Sequence, residues 1–248
     1  MDHVVEKMTT RIRPSEVEWE MFQDPHDRPT CPVRMLKTDA PALLDVNFPP
    51  NYYAGIHWHP FDTLYFVVEG EMLIGPEGSF LPGDVRWVKA GHPYGPEEAG
   101  PEGTRFFLVS MGDEVGLNWA DLYEVPDPLT ERLAEFPDNS GRINMNDVES
   151  SELADGCRLQ ILCDSNPYIR RVQITPGATL PAYCHDVDAL YMLRGGTMET
   201  KGEREFDAED VRFLKAGQTS NALSAGSDGA DLIIIGVGGG ATFEWINK

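Results

Sequence analysis

The sequence predicts an all-β protein built from two similar domains in tandem. Three observations carry this. The chain matches itself without a gap when residue n is set against residue n+126. Each copy breaks into short apolar, β-prone runs punctuated by Gly and Pro. Helical periodicity is hard to find inside either copy.

The repeat is read residue against residue. "GDVRWVKAG" at 83–91 faces "EDVRFLKAG" at 209–217, with six of nine positions identical. Leu64-Tyr65 faces Leu190-Tyr191, Gly70 faces Gly196, Met72 faces Met198 and Phe80 faces Phe206. "FFLVSMG" faces "LIIIGVG". Agreement spread over about 65 residues at one offset implies duplicated domains.

Residues 1–45 precede the first copy as an N-terminal arm. Its "DPHDRPTCP" reads as irregular chain that packs across a domain or a second subunit. The N-terminal domain is expected over 46–125, with strands at 64–68, 85–88 and 105–111. Gly70, Gly75-Pro76 and Pro82-Gly83-Asp84 supply its turns. A linker follows over 126–170. Its "DPLTERLAEF" at 127–136 is the best helix candidate, with Asp127 as cap and Pro128 at the first helical position. The turn-rich "PDNSGRINMNDVESSE" after it promises little regular structure. The C-terminal domain occupies 171–248, with a strand at 190–194.

Composition narrows the partners. The 248 residues carry 41 acidic and 20 basic side chains, a formal charge of -21. Such a chain repels nucleic-acid phosphates and anionic membrane surfaces, so neither is an expected partner. The four cysteines form no CxxC pair and suggest no disulfide framework. The N-terminus lacks a signal-peptide core, and no apolar run is long enough for a membrane span. A soluble, cytoplasmic protein is the expectation.

The stretch "GIHWHPFDTLYFVVEGE" at 55–71 carries the chemistry. Side chains two apart on an extended strand share a face, so His57 and His59 point the same way. Two imidazoles so placed suit Fe, Mn, Ni, Cu or Zn. The alternative is a surface His57 and a hydrogen-bonded core His59. In the second copy the two positions read Tyr183 and His185.

Both copies resemble cupin domains, so the chain resembles a two-domain bicupin. His57 and His59 fill the family's H-x-H, Gly70 its closing glycine, and Gly83, Asp84 and Gly91 its second motif. The resemblance implies two double-stranded β-helix (jelly-roll) barrels in tandem, often with a metal inside. It places a glutamate ligand at Thr63 and a histidine ligand at Tyr94. Neither residue is the expected one, so Asp62 and His92 become candidate metal ligands beside His57 and His59. Tyr94 and Tyr65 are candidate catalytic groups. The C-terminal domain, with one histidine left, is expected to be degenerate.

Tyr65, Val67, Phe106 and Leu108 alternate so as to form either barrel core or an apolar wall for a flat substrate. Arg86 and Lys89 recur as Arg212 and Lys215, which suggests a scaffold role in strand salt bridges. The resemblance implies a divalent metal, Fe(II) first, with Zn, Mn or Ni as options. It implies a dioxygenase cleaving a small aromatic or dicarbonyl compound. The alternatives are a non-redox isomerase, cyclase or lyase, and a metal-free small-molecule binder. A homo-oligomer, in the simplest case a dimer, is expected.

Overall fold

The structure is a computed structural model, and it describes residues 9–24, 28, 30–121, 141–164, 167–237 and 243–245. Apart from two 3-10 turns, Pro14–Glu16 and Gly75–Glu77, every regular element among the described residues is a β-strand. The candidate helix at 127–136 lies outside the described residues. None of the described helices is long and apolar enough to cross a membrane.

The chain forms two compact units. One runs from Ser15 to Asp147; the other joins Val148–Lys248 with the segment ending at Pro14. In the first unit the main sheet runs in the order Arg142–Asn144, Asp84–Val88, Thr63–Ile74, Glu97–Ser110, Ala42–Phe48, Pro32–Lys37, Glu20–Met21. In the second it runs Thr9–Ile12, Val211–Leu214, Asp188–Thr200, Leu223–Val237, Tyr168–Ile174, Cys157–Asp164, Ser150–Ala154. The two orders match strand for strand. Ala42–Phe48 and Tyr168–Ile174 are also 126 apart, so the structural repeat begins earlier than the sequence match suggests.

The central strands are buried on both faces, which is why they read as nearly continuous apolar runs. In Glu97–Ser110, Phe106, Phe107, Leu108 and Val109 are all buried. Phe106 and Leu108 join Tyr65, Val67, Met72 and Phe80 in one core cluster. The second unit repeats the cluster with Tyr191, Leu193, Met198, Phe206, Leu232 and Ile234.

Three strands, Arg142–Asn144, Ser150–Ala154 and Cys157–Asp164, lie within the segment expected as linker. Arg142–Asn144 pairs with Asp84–Val88, and Ser150–Ala154 pairs with Cys157–Asp164. The polar Arg142–Asn144 is hidden because the edge of a distant strand decides its pairing, whereas Ser150–Ala154 and Cys157–Asp164 form a local hairpin. The outermost strands are also placed reciprocally. Thr9–Ile12, which precedes the first copy, pairs in the second unit's sheet, with Arg11 opposite Arg212. Arg142–Asn144, which precedes the second copy, pairs in the first unit's sheet, with Arg142 opposite Arg86. Each is fastened by a matching ion pair: Arg11 Nε to Asp210 at 3.1 Å and Arg142 Nη2 to Asp84 at 2.8 Å.

Gly70 and Gly196 hold equivalent left-handed positions, at φ +73° and +75°. A Cβ there would stand 2.1 Å from the Gly103 carbonyl oxygen and 2.0 Å from that of Gly229. Backbone cannot retreat as a flexible side chain does. Gly70→Ala is therefore expected to lower stability by at least about 2 kcal/mol, from the left-handed conformation plus overpacking. Urea unfolding measures it, and an unchanged midpoint would refute it.

Candidate metal and substrate site

His57 and His59 lie in and just after the short strand His57–Trp58, at 2% and 3% exposure. His57 bridges Tyr94, and its strand pairs with Asn118–Trp119. Nδ1 of His57 donates to the Gly55 carbonyl at 2.8 Å. Nδ1 of His59 donates to the Val115 and Gly116 carbonyls at 2.9 and 2.5 Å. Carbonyls only accept, so both protons are on Nδ1 and both Nε2 atoms present lone pairs. Burial lowers the pKa of His57 to about 3, helped by His59, and that of His59 to about 4. Both rings are neutral near pH 7, the form that ligates metal.

Nε2 of His57 lies 2.9 Å from the Tyr94 hydroxyl, and Nε2 of His59 lies 3.2 Å from that of Tyr65. The two hydroxyls touch each other. Burial first, and the Glu97 charge second, push both phenols well above their ordinary pKa, so both stay protonated. The chain His57–Tyr94–Tyr65–His59 thus has three links and two hydroxyl protons. One link always lacks a proton. A cluster with more lone pairs than protons favours an added Lewis acid or a donor group from a ligand.

The other sequence candidates are placed differently. Oδ1 of Asp62 accepts the Ala90 N–H at 2.7 Å, and Oδ2 pairs with Lys89 at 3.5 Å. Asp188 does the same with Ala216 and Lys215 in the second unit. His92 closes a turn onto the Lys89 carbonyl, so the extended geometry that would align it with Tyr94 is absent. It is half-buried, and the cavity beside His57 and His59 is lined without it. Thr63 is buried on its strand.

Glu97 went unnoticed in the sequence, because counting alternate residues through Gly95-Pro96 loses the parity. A comparison of the two copies marks it, since the matched residue is Leu223. Glu97 is 2% exposed, and its Oε2 lies 3.7 Å from His57 Nε2. Its Oε1 is buried with no hydrogen-bond partner. Burial raises its pKa to about 7, against the pull of Arg86.

His57, His59, Tyr65 and Glu97 line a cavity of about 80 Å³. The rest of its wall is apolar and aromatic, with Phe22, Phe48, Tyr52, Phe106, Leu108 and Trp119. It contains no Lys or Arg among the described residues. Arg86 stands behind the site, with its guanidinium 4.0 Å from the Tyr94 ring centroid. Nε and Nη2 of Arg86 hold Glu77 at 2.6 and 2.5 Å. Arg212 and Glu203 repeat this clamp, so the scaffold salt bridges expected from the repeat are present in both halves.

The second unit has a closed network instead. Nδ1 of His185 bonds the Tyr168 hydroxyl and Nε2 bonds that of Tyr191. Tyr183 pairs with Ser220 where His57 meets Tyr94. Among the described residues, no three His, Cys, Asp or Glu side chains are placed so that together they could hold a metal ion without side-chain movement. Two anchored neutral imidazoles and a buried carboxylate oxygen without a partner are nonetheless donors that suit a divalent ion.

Burial of His57, His59 and His185 also sets the pH response of the metal-free protein. Their native pKa values fall to about 3, 4 and 4, from 6.5. The unfolded chain therefore takes up these protons first. Their stabilising contribution is full above pH 6.5 and is lost as pH falls toward 4. Glu97 runs the other way, its contribution full below pH 4.5 and lost as pH rises through 7. Three groups outweigh one, so the urea midpoint is expected to drop between pH 6.5 and 4. A midpoint that stays level or rises on acidification would refute this.

No protein-family profile matches the chain, and no curated protein matches it. Solved structures do. A structure described as a putative dioxygenase from Nostoc punctiforme matches with TM-score 0.77 and 12% identity, over 98% of this chain and 88% of its own. The oxalate decarboxylase of Lactobacillus farciminis, as a formate complex, matches with TM-score 0.72 and 15% identity, over 99% and 90%. A variant of the Bacillus subtilis oxalate decarboxylase matches with TM-score 0.71 and 14% identity, over 99% and 81%. At these identities the likeness shows the fold alone, an all-β arrangement repeated in two units.

Proposed function

We propose that the N-terminal unit is a cupin barrel acting as a metal-dependent enzyme on a small, neutral organic compound. One observation carries the reading: two carbonyl-anchored imidazoles line one apolar-walled cavity, with each Nε2 meeting only a tyrosine hydroxyl that a metal could displace. His57 and His59 would hold the ion, and the Gly55, Val115 and Gly116 carbonyls would fix their orientation. A bound divalent ion supplies Lewis acidity toward a carbonyl, enol or phenol oxygen. Tyr65, which lines the cavity, donates a hydrogen bond to the bound compound, and Tyr94 stands behind it against Tyr65 and His57. The aromatic wall excludes water and orients a flat substrate.

The cavity wall bears on the substrate class. It has no cationic side chain among the described residues, so beyond the metal nothing in it would pair the second charge of a dianion such as oxalate. A neutral aromatic or dicarbonyl compound suits it. Non-redox isomerase, cyclase or lyase chemistry is the first reading. Oxygen-dependent cleavage is the second, favoured by the likeness to the putative dioxygenase and by the aromatic wall. Manganese stands beside iron as a candidate, since one matched oxalate decarboxylase has Mn(II) centres. The C-terminal unit serves as scaffold, and a homo-oligomer is the expected assembly.

The test is metal content before and after reconstitution with Fe, Mn, Ni and Zn, followed by turnover of phenols, hydroxyketones and β-diketones. Metal with turnover under argon supports the non-redox reading. Turnover only in air, with oxygen consumed, supports the dioxygenase. A protein that takes up none of the four metals overturns the enzyme reading in both forms.

A further inference from the structure

We infer that Glu97, at neither position the motif assigns, is the third metal ligand of the N-terminal site. This rests on the proposal that His57 and His59 hold a metal. Four observations point to Glu97. It lines the same cavity as the two histidines. Its Oε1 is buried and accepts no hydrogen bond, although a buried carboxylate oxygen ordinarily has a donor. Its Oε2 faces His57 Nε2 at 3.7 Å, beyond hydrogen-bond reach. Two acceptor atoms thus stand close together, and a cation would be held by His57, His59 and Glu97 after a rotation of the Glu97 side chain.

The repeat supplies the fourth observation. Where the C-terminal unit has Tyr183 in place of His57, it has Leu223 in place of Glu97. A carboxylate needed for the scaffold would have survived in both halves, as Glu77 and Glu203 have. Glu97 and His57 are instead present together in one half and absent together from the other. Competing candidates are engaged elsewhere. Asp62 caps the Ala90 N–H, and His92 lies off the cavity wall. The nearest guanidinium, Arg86, gives two of its nitrogens to Glu77.

Two imidazoles and one carboxylate leave coordination positions for substrate, as catalytic sites require and structural sites do not. This donor set also suits Fe(II) and Mn(II) better than a soft, thiolate-preferring ion.

The experiment compares the full-length protein with Glu97→Gln and Glu97→Leu, the first close in shape and the second matching the residue at 223. Zn(II) and Mn(II) affinities are read by chelator competition, and Co(II)-loaded protein by its visible absorption. The metal-free Glu97→Leu variant is expected to unfold at or above the wild-type midpoint, because a buried carboxyl with one unsatisfied oxygen has been removed. Metal affinity is expected to weaken by about 100-fold or more, with an altered Co(II) spectrum. Wild-type affinity and an unchanged Co(II) spectrum in Glu97→Gln would overturn Glu97 as a ligand and leave the two-histidine reading standing. Wild-type protein that binds none of these ions would overturn both.

Discussion

Replacing His57 and His59 together with alanine is expected to abolish metal binding and to lower turnover by at least about 10³-fold. That corresponds to about 4 kcal/mol of transition-state stabilisation, within what a Lewis-acidic ion supplies. Both rings are neutral, buried and fixed through Nδ1, so their Nε2 atoms are the donors that alanine removes. The internal control is His185→Gln. His185 is equally buried, but it stands alone, since Tyr183 and Leu223 occupy the positions of His57 and Glu97 in its unit. Its replacement is expected to leave metal stoichiometry unchanged while lowering stability. Equal metal loss from both variants would move the site to the C-terminal unit and defeat the proposal.

The second large effect is on stability. Glu77→Gln is expected to destabilise the N-terminal unit by about 3–5 kcal/mol, because it leaves a charge buried without its counter-ion. Arg86 is 1% exposed and Glu77 11%. The partner clamp is wetter, with Arg212 at 4% and Glu203 at 23%. Nη1 of Arg212 also has the Ser220 hydroxyl at 2.9 Å, whereas Nη1 of Arg86 is buried without a hydrogen bond. Glu203→Gln is therefore expected to have the smaller effect. The double variant Arg86→Met, Glu77→Met should recover most of the loss, since replacing both members removes the unpaired charge. Denaturant unfolding with all three variants decides it. Equal losses at Glu77 and Glu203 would show that burial does not set the difference.

The sequence revealed most where the cause is local. Apolar runs, turn glycines and the offset of 126 are written along the chain, so the all-β tandem is legible. The pairing of Arg142–Asn144 is not, because a short polar segment becomes a strand only when an open sheet edge meets it. At the site, His57 and His59 follow from simple alternation. Asp62 also follows alternation, which turns it from their face, and its carboxylate goes to Ala90. His92 is not aligned with Tyr94, because a turn at Lys89 replaces the assumed strand. Glu97 fails for a related reason, since Gly95-Pro96 interrupts the counting. Contrast between the halves recovers Glu97, as it does the loss of His57. Residues kept in both copies, such as Arg86 and Arg212, mark the scaffold.

The reciprocal edge strands have a consequence for synthesis. Thr9–Ile12 leaves the ribosome about 200 residues ahead of its partner, Val211–Leu214. At about 5–20 residues per second, that is a wait of roughly 10–40 s. The N-terminal unit can close meanwhile, because Arg142–Asn144 follows Asp84–Val88 by fewer than 60 residues. The early strand must stay unpaired through this interval and then find an edge that has only just appeared. Arg11 and Arg13, both drawn to Asp210, give it a charge-guided address and keep it soluble while it waits. Order of emergence and order of assembly are thus opposed for this segment, and nascent-chain proteolysis timed along translation would display the difference.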